Sequence, residues 1–237
     1  MRKFPTICTC AVNDIFIEYA KKIIYSVRKF KEISFVILTD KPNKFNNLYN
    51  VETIKYNKSV SSYHDKIFPV FWGIKKYGSI ILIDSDTEIS DKCLENKIEN
   101  FHLDNIISGA YVKKFWEKSM ENFLEGNDEN IPYGRKFVQY CESNGLDTKG
   151  VKHIQESFLF IKEKNQRKID KFLKIWWDLK KISEKNDSVK NRGNLGYGEG
   201  FSIAIALHNA GIEIHNEPSV QSVASCFGHI GAGYNAI

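Results

Sequence analysis

The sequence predicts an α/β fold in which helices flank a mixed, mainly parallel central sheet. Three observations predict it. Residues 6–12, 34–39 and 79–83 are short, continuous apolar runs, the pattern of strands buried on both faces. Segments of helical periodicity lie between them. The two kinds of segment alternate along the first third of the chain, which argues for a parallel sheet covered on both sides.

Each element has its own signal. After the first strand, Ile15, Tyr19, Ile23, Ile24, Val27 and Phe30 share one helical face. The second strand ends at Asp40-Lys41-Pro42, a turn sequence. Residues 51–56 make a weaker third strand. A helix is expected over 66–77, interrupted by Pro69 and stopped by Gly78. Ser79-Ile80-Ile81-Leu82-Ile83 follows and is the strongest strand in the sequence. Beyond it, residues 106–112 and 157–161 read as strands. Residues 115–130 mix helix formers with acidic residues. Residues 170–182 form an amphipathic helix containing Trp176-Trp177. Residues 183–195 read as a polar loop. A helix over 200–210 is stopped by Gly211, and 212–215 is a final edge strand.

Composition sets limits. The chain has 237 residues, 42% hydrophobic and 13% aromatic, enough for a sizeable core and against disorder. No repeat or linker divides it, so residues 1–237 are read as one domain. Lys plus Arg is 34 against 29 for Asp plus Glu, a net charge of +5. That excess fits a phosphorylated small molecule. Without a clustered patch it does not indicate nucleic acid. Lysine pairs such as Lys75-Lys76 and Lys180-Lys181 read as solvated faces. The five cysteines show no C-x-x-C spacing, and free buried thiols in a reducing compartment are expected. No apolar run reaches the roughly 18 residues of a membrane span, and no signal-peptide core follows the N-terminus. A cytoplasmic protein, soluble or peripherally attached to a membrane, is expected.

The chemistry concentrates where the strongest strand ends. Asp84-Ser85-Asp86 follows Ile83 directly, and Glu88 is close behind. Ligands of parallel sheets bind beyond the carboxyl ends of the strands. Clustered carboxylates repel unless a cation neutralises them. Mg²⁺ and Mn²⁺ prefer carboxylate, water and phosphate oxygens. The competing reading is that Asp84 caps a turn and Asp86 is merely exposed.

Residues 64–89, from His64-Asp65-Lys66 through Asp84-Ser85-Asp86, resemble the metal-binding segment of GT-A-fold glycosyltransferases. In that family a helix carrying a basic residue precedes an aliphatic strand ending in D-x-D. The order of elements agrees over most of the chain, and the agreement is specific only at this segment. The resemblance implies a Rossmann-like GT-A fold, Mn²⁺ or Mg²⁺, and a nucleotide-sugar donor, UDP-sugar favoured. It implies transfer to a hydroxyl of a glycan or glycoconjugate. Residues 1–110 would be the nucleotide and metal half, and 111–237 the acceptor half.

Further residues take roles by the same resemblance. Thr9, Cys10, Ala11 and Asn13, with Thr39, stand where the nucleotide is held; alternatively Asn13 is an ordinary N-cap. Lys66 would pair with a phosphate or with Asp84, and Ser85 would contact the ribose. Gln155 and Glu156 precede a strand where retaining members face the transferred sugar. Glu199, in Gly196-Tyr197-Gly198-Glu199-Gly200, sits at a helix start that favours an ionised carboxylate and is placed to bind the acceptor hydroxyl or act as base. His229, among C-terminal glycines, resembles a third metal ligand beside Asp84 and Asp86, and Tyr234 would stack over donor or acceptor. The Lys that normally follows such a His is missing. These features favour retention; an inverting enzyme would need Glu199 or Glu156 as base. Two other readings compete: a nucleotidyltransferase acting on sugar phosphates, which lacks its Gly-rich loop here, and a non-catalytic carbohydrate-binding domain.

Overall fold

The computed structural model describes residues 4–29, 32–58, 63–98, 100–113, 134–151, 154–186 and 199–229. The strands are β1 (Thr6–Cys10), β2 (Phe35–Thr39), β3 (Val51–Lys55), β4 (Ser79–Ile83), β5 (Thr87–Ile89), β6 (Gly109–Val112), β7 (Phe158–Lys162), β8 (Ile214–His215) and β9 (Phe227–His229). The helices are α1 (Asp14–Arg28), α2 (Ile67–Tyr77), α3 (Asp91–Ile98), α4 (Gly134–Ser143), α5 (Gln166–Asn186), α6 (Glu199–Ala210) and α7 (Pro218–Ala224).

Seven strands form one sheet in the order β3-β2-β1-β4-β7-β6-β8, and β5 and β9 form a separate two-stranded ribbon. Within the large sheet only β7 runs against its neighbours, pairing antiparallel with both β4 and β6. The sheet is therefore mixed and mainly parallel, with helices on both faces. Side chains alternate across it. Ile80 and Leu82 face the layer made by α2, α4, α5 and α6, and Ile81 and Ile83 face α1, α3 and α7. This alternation is why β1, β2 and β4 read as unbroken apolar runs: both of their faces are buried. β3 is the edge strand and is only half-buried, which explains its weaker signal.

The structure departs from the expected elements in several places. Pro69 does not interrupt α2. It lies in the first turn, where its missing N–H has no intrahelical partner to lose. The buried stripe of α1 is Ile17, Ala20, Ile23, Ile24 and Val27, while Ile15 is exposed. Phe30 and residues 115–130 lie outside the described residues. α5 is longer at both ends than expected, taking in residues 183–186 that were read as loop. Two of the cysteines expected to be free are joined: Cys93 and Cys226 form a disulfide with Cα atoms 5.4 Å apart, and Cys8, Cys10 and Cys141 are buried and take part in no disulfide. The bond ties α3 to the residue just before β9. It removes the premise of five free thiols on which a reducing compartment was read. Among the described residues, no helix is long and apolar enough to cross a membrane.

Candidate active site

β1, β2 and β4 run in the same direction, so Cys10, Thr39 and Ile83 end at one edge of the sheet. The reversed strand β7 starts at that edge, with Phe158 paired to Ile83. Gln155 and Glu156, just ahead of β7, are thereby brought beside Asp84-Ser85-Asp86, about seventy residues away in sequence. The ribbon adds a third segment. Thr87 of β5 pairs with His229 of β9, so the backbone of His229 lies opposite the residue after Asp86.

The N-terminus of α6 is placed at the same edge by its neighbours. Near its start α5 joins the C-terminal half of α2 through Lys75 and Asp170; near its other end Lys180 meets Asp65, just ahead of α2. α5 therefore rises towards the carboxyl edge. α6 packs against it and descends into β8, which pairs in parallel with β6. Glu199, the first residue of α6, consequently stands at the upper edge. The side chains of Glu199 and His229 lie outside the described set. So do Gly196, Tyr197, Gly198 and Tyr234 entirely.

Asp84 is half-buried and Asp86 is only 6% exposed. The Lys66 ammonium pairs with Asp84 Oδ1. Lys66 is itself buried, as the last residue of a 3-10 turn, Tyr63–Lys66, that leads into α2. The turn is anchored by Asp65, which accepts a hydrogen bond from the Tyr56 hydroxyl and pairs with Lys180 of α5 at 3.0 Å. Sequence reasoning missed this anchor. The Lys180-Lys181 pair does not lie on a solvated face as expected. Lys181 is exposed, but Lys180 is buried. The available signal was its spacing: Ile169, Phe172, Leu173, Trp176 and Leu179 form a buried stripe, and Lys180 falls on it one turn after Trp176.

In the loop after β1, Thr9, Cys10 and Ala11 are buried, and the Ala11 N–H donates to the Leu38 carbonyl at 2.8 Å. Among the described residues the buried Thr9 hydroxyl has no hydrogen-bond partner. Asn13 caps α1: its Oδ1 accepts from the Phe16 N–H at 3.3 Å. Its own N–H donates to Asp40 Oδ1 at 3.0 Å, which ties this loop to the end of β2. Asn13 does so at φ 76, a left-handed conformation that Asn tolerates better than most residues. Thr39 is fully buried, and its hydroxyl accepts from the Lys41 N–H. As placed, this loop presents backbone and short side chains rather than charges.

The donor set suits a hard divalent cation at Asp84 and Asp86, since both offer carboxylate oxygens. Among the described side chains no group of three or more His, Cys, Asp or Glu could hold an ion. The side chain of His229, read from the sequence as a third ligand, lies outside the described set. The Cys8 and Cys141 thiols do not compete as nucleophiles. Burial pushes the Cys8 thiol up, and the Cys141 thiol up to about 12, away from the reactive thiolate. A cleft of about 340 Å³ opens between α1 and β5, lined by Tyr19, Lys22, Ser26, Lys29, Thr87 and Glu88 among others. It flanks the ribbon rather than the aspartates, and neither Lys66 nor Asp84 lines it.

No family model and no curated protein sequence matches the chain. Solved structures of glycosyltransferases are similar to it in fold. One is the galactosyltransferase LgtC in complex with donor and acceptor sugar analogs, at 15% identity and TM-score 0.47, covering 89% of this chain and 73% of that one. Another is mouse xyloside xylosyltransferase 1 in its apo form, at 12% identity and TM-score 0.41, covering 95% of each chain. The bifunctional glycosyltransferase WbbM, also apo, gives 13% identity and TM-score 0.47; 92% of this chain matches 39% of that one.

Proposed function

We propose that this protein is a metal-dependent glycosyltransferase. It moves a sugar from a nucleoside diphosphate, UDP favoured, to a hydroxyl of a glycan or glycoconjugate. One observation carries the reading. Four segments distant in sequence converge on the carboxyl edge of the sheet: Lys66 on Asp84, Gln155-Glu156 beside β4, the backbone of His229 opposite Thr87, and the start of α6.

Asp84 and Asp86 would hold Mn²⁺ or Mg²⁺, with His229 as the third ligand. The bound ion supplies neutralisation of the negative charge that develops on the departing diphosphate. Lys66 adds a second positive group, able to bind a phosphate oxygen once Asp84 is engaged elsewhere. The loop of Thr9, Cys10, Ala11 and Asn13, with Thr39, forms the wall for base and ribose, and Ser85 contacts the ribose. Gln155 and Glu156 orient the donor sugar from beside β7. Glu199, at a helix start that stabilises its ionised form, binds the acceptor hydroxyl. Retention of configuration is the favoured outcome, because an amide and a carboxylate face the transferred sugar from the strand side.

The test is UDP release from a panel of UDP-hexoses. Release is expected with Mn²⁺, absent with EDTA, and reduced at least about a hundredfold in Asp86→Ala. Release that persists in EDTA and in that variant would overturn the reading. So would the absence of release from every donor.

A further inference from the structure

We propose that Asp65 and Lys180 are a positioning pair for Lys66, an inference that rests on the glycosyltransferase reading. The pair aims the Lys66 ammonium at Asp84 and at the diphosphate of the donor. Asp65 and Lys66 are consecutive residues of one short turn, so whatever fixes the first directs the second. Asp65 is 1% exposed and Lys180 is 4% exposed, yet both are charged. Lys180 Nζ lies 3.0 Å from Asp65 Oδ1 and 5.8 Å from the ring centres of both Phe68 and Trp177. The Tyr56 hydroxyl donates to the other carboxylate oxygen of Asp65. Tyr56 in turn donates its backbone N–H to the Thr39 carbonyl at 2.8 Å. The network therefore links the end of β2, the top of α5 and the turn bearing Lys66.

Stability alone is a weak reason for such a network. The desolvation of a buried ion pair offsets most of its attraction, and apolar groups of similar shape would fill the space about as well. The contrast between the two ends of the α2–α5 contact is informative. Away from the carboxyl edge it is closed by Lys75 and Asp170, both partly exposed; at the edge beside Asp84 it is closed by the buried pair. Lys66 precedes α2 as its cap residue and its side chain makes no capping bond, so its direction depends on the turn that ends with it. What the buried pair adds is a fixed orientation next to the two aspartates. Buried polar groups that hold a neighbouring residue in one geometry are the usual support of a functional side chain.

A double-mutant cycle on the full chain tests this, reading UDP affinity in Mn²⁺ by calorimetry alongside the thermal midpoint. Asp65→Asn with Lys180→Met removes both charges and keeps the shape and the acceptor for Tyr56. This variant and Lys66→Met are each expected to weaken UDP about tenfold, the loss of one charge-assisted phosphate contact. Combined, the three substitutions are expected to be no worse than Lys66→Met alone, because the pair acts through Lys66. Factors that multiply in the combined variant would overturn the proposal. So would unchanged affinity in the Asp65→Asn/Lys180→Met chain. Tyr56→Phe, which removes one hydrogen bond and no charge, covers a failure of the double variant to fold. It is expected to weaken UDP about threefold and to lower the midpoint by only a few degrees, and unaltered affinity there also counts against the pair. If the unsubstituted chain binds no UDP in Mn²⁺, the glycosyltransferase reading itself falls, and the positioning pair with it.

Discussion

Gly73 decides how closely α2 approaches the sheet, and replacing it gives a worked prediction. A Cβ at this position would lie 2.6 Å from Cys8 Sγ and 2.9 Å from Ile80 Cγ2. Comfortable contact for such atoms is about 3.5–4.0 Å, so α2 must retreat by roughly 1 Å or Cys8 and Ile80 must leave their places. Both are fully buried on central strands, which leaves them little room to move. Overpacking of a tight core costs about 1–3 kcal/mol. Alanine recovers up to about 1 kcal/mol through its better helix propensity. The net loss for Gly73→Ala is therefore about 1–2 kcal/mol, or roughly 3–6 °C in thermal midpoint for a chain of this size. Gly73→Val adds more bulk without the helical gain and should cost more. Urea unfolding followed by circular dichroism measures both, with an unchanged slope showing that only stability moved. An alanine variant as stable as the parent, or more stable, would refute the packing argument. Because α2 begins immediately after Lys66, the same substitution should also weaken UDP binding in Mn²⁺.

Other predictions follow from the same geometry. Gly78 closes α2 at φ 73 with nothing within 4 Å of a new Cβ, so Gly78→Ala should cost only the backbone term, about 1 kcal/mol, and should leave UDP affinity unchanged. Glu217 caps α7. Burial raises its carboxyl, but bonds from the Ser219 hydroxyl and the Val220 N–H outweigh this, and the folded pKa lies below the ordinary Glu value. Its contribution, about 1 kcal/mol for a cap, is therefore complete above the unfolded pKa and lost as pH falls through the folded one. The stability gap between parent and Glu217→Gln should accordingly narrow between neutral and acidic pH in urea titrations. Thiol titration of the unfolded, unreduced chain should count three thiols, since Cys93 and Cys226 are joined. The bond spans 133 residues, for which chain entropy gives about 5 kcal/mol as an upper figure. Cys93→Ser should then lower the thermal midpoint by up to about 15 °C, and a count of five thiols would contradict the crosslink.

The parts of the fold that could be read from the sequence are those whose signals are local. β4 carries five residues buried on both faces and delivers Asp84 at its end, so the strand and the candidate site beside it are legible together. Gly78 and Gly211 marked helix ends through left-handed φ values of 73 and 68. What escaped was non-local. Nothing in Phe158-Leu159-Phe160 says that β7 runs against β4, because a strand buried on both faces reads the same in either direction. The β5–β9 ribbon has only three residue pairs, contributed by segments about 140 residues apart, and neither segment is long enough to show a period. The Cys93–Cys226 bond depends on that ribbon and was hidden with it. Lys180 was misread because charge pairs usually mark surface. Its partner Asp65 is 115 residues earlier in the chain, and only the folded structure brings the two together.

Asp84 and Asp86 are proposed to hold the cation that binds a nucleotide sugar. The most direct measurement is a thermal-shift screen of nucleotide sugars with and without Mn²⁺, repeated on Asp86→Ala. A UDP-sugar should raise the midpoint only when Mn²⁺ is present, and the rise should vanish in the variant. No rise with any nucleotide sugar, or a rise that survives Asp86→Ala, would contradict it.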